Sequence, residues 1–218
     1  MIDLHTHSLF SDGQLIPSEL VRRAEAMGYT AIAIADHADT STLDFTIPRL
    51  VQVAEELNRS QSVKVIPGVE LTHIPPVLLV TLIQRARQLG AELVVVHGET
   101  IVEPVAPGTN RAALEGGADI LAHPGLITEK EAQMAEDKGV CLEISGRSGH
   151  SFTNGHVAKT AGATGASLIL NSDAHAPRDL LTASLAEKIV CGAGLPVGSY
   201  KNLLSNAEQL LERIRSLP

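Results

Sequence analysis

Aromatic side chains are almost absent from this chain: three Phe, two Tyr and no Trp in 218 residues. Stacking on single-stranded nucleic acid needs aromatic platforms beside a basic channel, and no long basic cluster is present either. The formal charge of −8 argues against an electrostatic groove for long DNA or RNA. Uninterrupted apolar runs stay well short of the ~20 residues of a membrane helix, so no membrane partner is expected. Cysteine is scarce as well. Cys141 and Cys191 are too few for a disulfide framework and lack zinc-type CxxC spacing. Cys141 lies in an apolar run and reads as a small core residue. No basic-then-apolar leader opens the chain. These absences together predict a protein of the reducing cytoplasm.

What the chain has is aliphatic. With 44% hydrophobic residues and so few aromatics, its core must be built from Leu, Ile, Val and Ala. Short apolar runs at Ile2–His5, Ala31–Ala35, Lys64–Leu71, Leu93–His97, Ile120–His123, Val140–Ile144 and Ser167–Asn171 read as strands. Helical spacing separates them. Pro17–Met27, Pro48–Leu57, Pro75–Leu89, Thr109–Glu115, Glu129–Lys138, His156–Ala163 and Leu181–Val190 fit helices, and Asn202–Leu217 is amphipathic. Seven strands alternating with helices imply parallel βα units. No linker or low-complexity tract divides residues 1–218, so one domain is expected.

An open doubly wound sheet and a closed barrel both satisfy that pattern. Histidines and acids at the strand ends discriminate between them. His5 and His7, Asp36 and His37, Glu70, His97, His123, and Asp173 with His175 follow strands one to five and seven. An open sheet gathers ligands mainly at one switch point, whereas a ring of strands brings six C-terminal ends together. A distorted (β/α)7 barrel with a polynuclear metal site at its mouth is therefore the expectation.

Alternation sends His5 and His7 to the same side of strand one. Asp12, in Phe10-Ser11-Asp12-Gly13, has the composition of a turn residue and joins the site only because of its neighbours. His37 reads as a ligand and Asp36 as the carboxylate that orients it. Glu70 is the acid at the third strand end, and a carboxylate can bridge two cations where a neutral imidazole cannot. His97 and His123 each end an apolar strand. Asp173 and His175 repeat the i, i+2 arrangement at strand seven. Outside this set, His73 reads as a loop residue that could touch the substrate, and His150 is left open between a solvated loop and the site. His156 reads as a solvated residue on the following helix, and Glu143 as a support rather than a ligand.

The residues Asp3-Leu4-His5-Thr6-His7, Ser11-Asp12-Gly13, Ala35-Asp36-His37, Gly68-Val69-Glu70, Val96-His97, Ala122-His123-Pro124-Gly125 and Ser172-Asp173-Ala174-His175 strongly resemble the PHP (polymerase and histidinol phosphatase) family. The resemblance spans essentially the whole chain. It implies a distorted (β/α)7 barrel holding two or three divalent ions, commonly zinc, manganese or iron, and cleaving phosphoesters. It also implies one ion on His5, His7, Glu70 and Asp173, a second on Glu70, His97 and His123, and a third on Asp12, His37 and His175. Asp12 stands where some relatives carry a histidine. The loops after strands two and three leave little room for a substrate cap, which argues against histidinol phosphate itself.

Clustered cations suit phosphoester hydrolysis because they acidify a bridging water, neutralise phosphate charge and clamp both reacting oxygens. The expected nucleophile is a bridging hydroxide near Glu70, with Asp173 or His175 handling protons. Arg111, Arg147 and Arg178 are the candidates to fork onto phosphate oxygens of a small phosphorylated substrate. Three rival readings compete with this one. An amidohydrolase-type barrel also begins with HxH, but its bridging lysine has no counterpart at a strand end here. A nuclease for short oligonucleotides and a non-catalytic metal-binding module complete the alternatives.

Overall fold

The structure, a computed structural model, describes residues 1–215. Eight parallel strands run in chain order around a nearly closed barrel: β1 (Ile2–Thr6), β2 (Ala31–Ile34), β3 (His37–Ala38), β4 (Lys64–Leu71), β5 (Leu93–His97), β6 (Ile120–Ala122), β7 (Cys141–Ser145) and β8 (Leu168–Asn171). The two-residue β3 continues beyond β2 and pairs only with β4, through His37–Glu70 and Ala38–Leu71. Counted by position around the ring, seven strands remain, as expected.

The seam between β1 and β8 explains why the barrel is distorted. A single bridge, Thr6 to Ala174, joins the two edges. Side chains complete the closure. Asn171 accepts from the Leu4 amide at 2.8 Å, and Asp3 accepts from the Ser172 amide at 3.2 Å. Buried backbone donors that lack a strand partner need such substitutes.

Alternation builds the walls. Leu93, Val95, Ile120, Ala122, Cys141 and Ile169 pack into one cluster, while Val94, Val96, Leu121, Leu142 and Ile144 face the helices in another. The helices are α1 (Pro17–Ala26), α2 (Leu43–Asn58), α3 (Pro76–Gln88), α4 (Thr109–Gly116), α5 (Glu129–Lys138), α6 (Asn154–Thr164), α7 (Ala183–Gly192) and α8 (Tyr200–Arg215). α8 lies against the N-terminal ends of the strands. There Asn206 donates to the Leu168 carbonyl, and Arg213 donates to the Gly139 carbonyl. The expected end of this helix at Leu217 lies outside the described residues.

One boundary differs instructively from the sequence reading. α2 begins five residues before Pro48 and carries that proline inside. Leu43, Ile47, Leu50, Ala54 and Leu57 are all buried along one face of it. That continuous apolar stripe outweighs the single main-chain hydrogen bond the proline cannot donate.

Candidate metal centre

The site is assembled from residues at or just past the C-terminal ends of the strands. Glu70, fully buried near the end of β4, stands at its centre. Its Oε1 lies 3.4 Å from His5 Nε2 and 3.5 Å from His123 Nε2. Its Oε2 lies 2.6 Å from His37 Nδ1 and 3.8 Å from His7 Nε2. Asp173 faces it across the basin, with Oδ1 3.2 Å from His7 Nε2 and Oδ2 3.8 Å from His123 Nε2. Asp12 closes the outer side, 3.1 Å from His175 Nε2 and 3.5 Å from His37 Nε2. The structure thus brings His5, His7, Asp12, His37, Glu70, His123, Asp173 and His175 together, with His97 at the far rim.

Local backbone is shaped to achieve this. His123 and Asp173 have φ of 28° and 53°, in the left-handed region that non-glycine residues rarely adopt. His123 directly follows β6 and Asp173 stands two residues past β8, where the strand must break to turn a side chain into the mouth. The Asp12 turn requires its glycine, since a Cβ on Gly13 would sit 2.3 Å from the His7 carbonyl oxygen. Gly125, after His123 and Pro124, combines φ of 62° with a position where a Cβ would overlap the Glu99 carbonyl. Any side chain at either position would shift the loop that carries a site residue.

The orienting contacts are mostly buried. Glu143 accepts from His5 Nδ1 at 2.8 Å, from the His123 amide at 3.1 Å and from Asn171 Nδ2 at 2.9 Å. It therefore supports the site, as the sequence suggested. Asp36 departs from expectation. Its two oxygens accept from the Ser8 amide and hydroxyl and from the Ser11 hydroxyl. Asp36 thus fixes the loop that leads to Asp12, and Thr72 and Glu70 meet the His37 ring instead.

Burial dominates the electrostatics. It would depress the His5 imidazole, yet Glu143, Glu70 and Asp173 together raise its affinity for a proton well above the ordinary value. His7, buried and flanked by His37 and His5, is pushed the other way and stays neutral. Burial pushes the Glu70 carboxyl up, but His5, His37 and His123 pull it well below the usual range. Asp173 ends up raised, because burial and the nearby Glu70 and Glu143 charges outweigh His5 and His123.

A cation fits this donor set. His5 Nε2, both His7 ring nitrogens, Glu70 Oε1, His123 Nδ1 and His175 Nε2 are buried with no hydrogen-bond partner. Orphaned buried polar atoms are costly unless something else satisfies them. Groups of three or four such residues stand close enough to share one ion: His5, His7 and Glu70; His5, His123 and Asp173; and His7, Asp12, His37 and His175. The first holds three of the four residues implied for one ion and lacks Asp173, and the last holds Asp12, His37 and His175 with His7 added. The middle one has His5 and Asp173 beside His123, where the resemblance implies Glu70 and His97.

The basin, about 250 Å³, is lined by Asp12, His37, Thr72, His97, Glu103, His123, Arg147, His150, Asp173 and His175, among others. It shares Asp12, Arg147, Asp173 and His175 with an outer cavity of about 490 Å³ lined also by Gln14, Ser148, Arg178, Leu181 and Leu185. Arg147 is at the junction, its Nη1 2.6 Å from His175 Nδ1. Arg178 is at the outer wall and 83% exposed. Arg111 is a correction to the sequence reading. It projects from α4 to solvent and pairs with Glu115 one turn on, and it lines neither cavity.

Two further residues line the basin. His150, which the sequence left open between loop and site, is buried, with its ring stacked 4.0 Å from that of His123. Burial and His123 lower its pKa to about 3. Glu103 escaped the sequence reading. It sits in the loop after β5, 3.0 Å from His97 Nε2, and a hydrogen bond from His97 lowers its carboxyl to about 2. Glu99 precedes it in the same loop, so the sequence offered no means of choosing between them. Glu99 instead accepts from the Gly108 and Asn110 amides at the start of α4. His156 donates to or accepts from nothing in the basin; its Nε2 meets the Ile127 carbonyl.

Known proteins resemble this chain in sequence and in fold. The chain is 47% identical over 215 residues to an uncharacterized protein of Methanocaldococcus jannaschii, covering 97% of this chain and 99% of that one. It is 34% identical over 107 residues to a 3',5'-nucleoside bisphosphate phosphatase of Chromobacterium violaceum, covering 42% and 38% of the two chains. In fold it resembles a chain from the structure of archaeal ribonuclease P with mature tRNA, with TM-score 0.73, 16% identity and coverage of 98% and 91%. It also resembles histidinol phosphate phosphatase from Lactococcus lactis, solved with zinc, L-histidinol and phosphate, with TM-score 0.62, 19% identity and coverage of 89% and 94%. At those identities the two structures speak for the fold alone. The PHP domain model matches residues 3–217, the stretch that carries every strand-end histidine and acid described above, and the chain belongs to the PHP family.

Proposed function

We propose that this protein is a metal-dependent phosphoesterase acting on a small phosphomonoester. One observation carries the reading: unpartnered buried imidazole nitrogens and the unpartnered Oε1 of Glu70 gather beside a basin that shares Arg147 with a larger cavity. The partial match to a bisphosphate phosphatase supports the same chemistry. Bound divalent ions would neutralise phosphate charge and activate a water. His5, His7, Glu70 and Asp173 would hold one ion, Asp12, His37 and His175 another, and His123 would reach an ion through the side of Glu70 and Asp173.

The chain's own residues supply the rest. Arg147 swings from His175 to fork onto the phosphate oxygens, since its guanidinium already lies at the junction of basin and cavity. Asp173 or His175 holds the proton that moves to the leaving group. The narrow basin and the scarcity of aromatics favour a small substrate over a long polynucleotide. We place the chemistry in one domain and in the reducing cytoplasm, in keeping with two free cysteines. Among the described residues, no helix is long and apolar enough to cross a membrane.

The test is a panel of phosphomonoesters, with phosphodiesters and short oligonucleotides as controls, offered to protein reconstituted with zinc, manganese or iron. Turnover of monoesters that disappears on chelation is the expected result. Exclusive cleavage of oligonucleotides would favour the nuclease reading, and inertness of every metallated form would leave a non-catalytic metal-binding module.

A further inference from the structure

His150 brings into the basin an imidazole that neither the ion-holding set nor the proton transfer uses. It is buried and lines the basin together with Arg147, three residues earlier in the same loop. That loop is tied to itself: the Arg147 carbonyl accepts from the Ser151 amide at 3.0 Å, and the Gly149 carbonyl from the Phe152 amide at 3.1 Å. The ring is fixed too. It stacks on His123 with centroids 4.0 Å apart and meets His97 edge-on at 5.7 Å.

The surroundings decide which nitrogen carries the proton. Nδ1 lies 2.8 Å from the hydroxyl of Thr100, a buried residue whose own proton has no other acceptor among the described residues. The hydroxyl therefore donates to Nδ1, and the ring proton stands on Nε2. Nε2 faces Glu103 Oε1 at 3.5 Å and Asp173 Oδ2 at 3.9 Å, two acceptors, which agrees with a proton there. Both separations exceed the ~2.7–3.2 Å of an N–H···O hydrogen bond, so neither oxygen uses up the donor. A protonated ring would carry the same Nε2 proton, and the assignment does not depend on charge.

We propose that His150 is a substrate-binding residue whose Nε2–H donates to an oxygen of the phosphate group held in the basin. The inference takes its ligand from the phosphoesterase reading and rests on it. A metal needs a lone pair on the nitrogen it binds. Nδ1 spends its lone pair on Thr100 and Nε2 carries the proton, so His150 stands outside the ion-holding set even though it touches His123. One tied loop thereby presents two kinds of donor to the same basin. Arg147 supplies charge, and His150 supplies a single directional N–H that fixes how the phosphate is turned.

The experiment uses full-length protein reconstituted with zinc, with inorganic phosphate as the probe. His150→Phe keeps a flat ring against His123 and removes the donor, whereas His150→Gln returns an N–H near the position of Nε2. Calorimetric titration should show phosphate bound about tenfold or more weakly by His150→Phe, the loss expected for a hydrogen bond to a charged group. His150→Gln should recover most of that loss. Zinc content by elemental analysis should be the same in all three proteins, and thermal melting checks folding. Long-range 1H–15N spectra of the wild type should place the His150 proton on Nε2, a readout that stands even if neither variant folds. Equal phosphate affinity in the wild type and His150→Phe would overturn the proposal and leave His150 as a packing residue. A zinc equivalent lost from His150→Phe, or a ring proton found on Nδ1 alone, would overturn it by making His150 a ligand. Phosphate affinity that depends on His150 in a protein inert toward every phosphoester would sink the hydrolase reading and spare this one. Turnover of monoesters with the same KM in the wild type and His150→Phe would do the reverse.

Discussion

Glu143 accepts from His5 Nδ1 at 2.8 Å, and this contact decides which nitrogen of His5 faces Glu70. The same carboxylate accepts from the His123 amide and from Asn171, so one buried group ties β7 to β1, to the end of β6 and to β8. An orienting carboxylate of this kind fixes the tautomer and raises the basicity of the ligating nitrogen.

Glu143→Gln should therefore lower affinity for the first cation about 10–100-fold. Its amide NH2 would also face a donor that the carboxylate satisfied, destabilising the fold by about 1–3 kcal/mol. Calorimetric titration with zinc, beside a urea melt, measures both effects. Wild-type affinity in the variant would show that Glu143 serves the barrel seam alone.

Glu70→Gln keeps the volume of the central side chain and removes its charge. Four imidazoles then lose their common anion, so metal content should drop and phosphoester hydrolysis should fall by about a hundredfold or more. Elemental analysis and single-turnover rates check this. Normal rates with normal metal content would move the catalytic centre away from β4.

Arg147 and Arg111 should separate cleanly. Arg147→Ala should reduce kcat/KM by about 10–100-fold, the loss expected for a charge-assisted contact to phosphate. Arg111→Ala should leave kinetics unchanged, because that side chain is held by Glu115 on the outer face of α4. Steady-state kinetics on one phosphomonoester suffices. Equal losses in both variants would contradict the placement of Arg147 at the junction of the two cavities.

Asp3 gives a pH dependence with a definite sign. Burial raises its carboxyl from the usual 3.8 to about 6, even though Ser172 and His5 donate to it or favour its charge. Above pH 6 the group is ionised in both folded and unfolded chains, and the folded state carries a penalty of about 3 kcal/mol. Below pH 3.8 it is neutral in both and the penalty vanishes. Asp3→Asn should thus stabilise metal-free protein at pH 7–8, with the gain shrinking as pH falls through 6 toward 4. Urea unfolding across that range, with chelator present, is the measurement. A gain independent of pH would assign the effect to packing instead.

Much of this was readable in order along the chain. Alternating apolar strands and helices specified the parallel βα architecture, and the strand-end residues identified a barrel, because strand polarity alone decides which end a terminal side chain occupies. The strand-end positions of His5, His7, Glu70 and Asp173 were legible there too, and the structure brings these side chains together. Pro48 misled at a boundary, since local proline signals ignore the burial of Leu43 and Ile47 that carries α2 past it. What sequence could not give is anything that depends on the path of a loop. Glu103 and His150 enter the basin because the loops after β5 and β7 fold over it, with Thr100 meeting His150 at 2.8 Å. Arg111 leaves it because helix phase turns that position outward. Asp36 serves Ser8 and Ser11 rather than His37 because the β1 loop passes over it. The sequence by itself determined the strands, their polarity and the ring of histidines and acids at their ends. Only the tertiary structure decided which loop side chains close that ring, because loop paths are set by long-range contacts and not by periodicity.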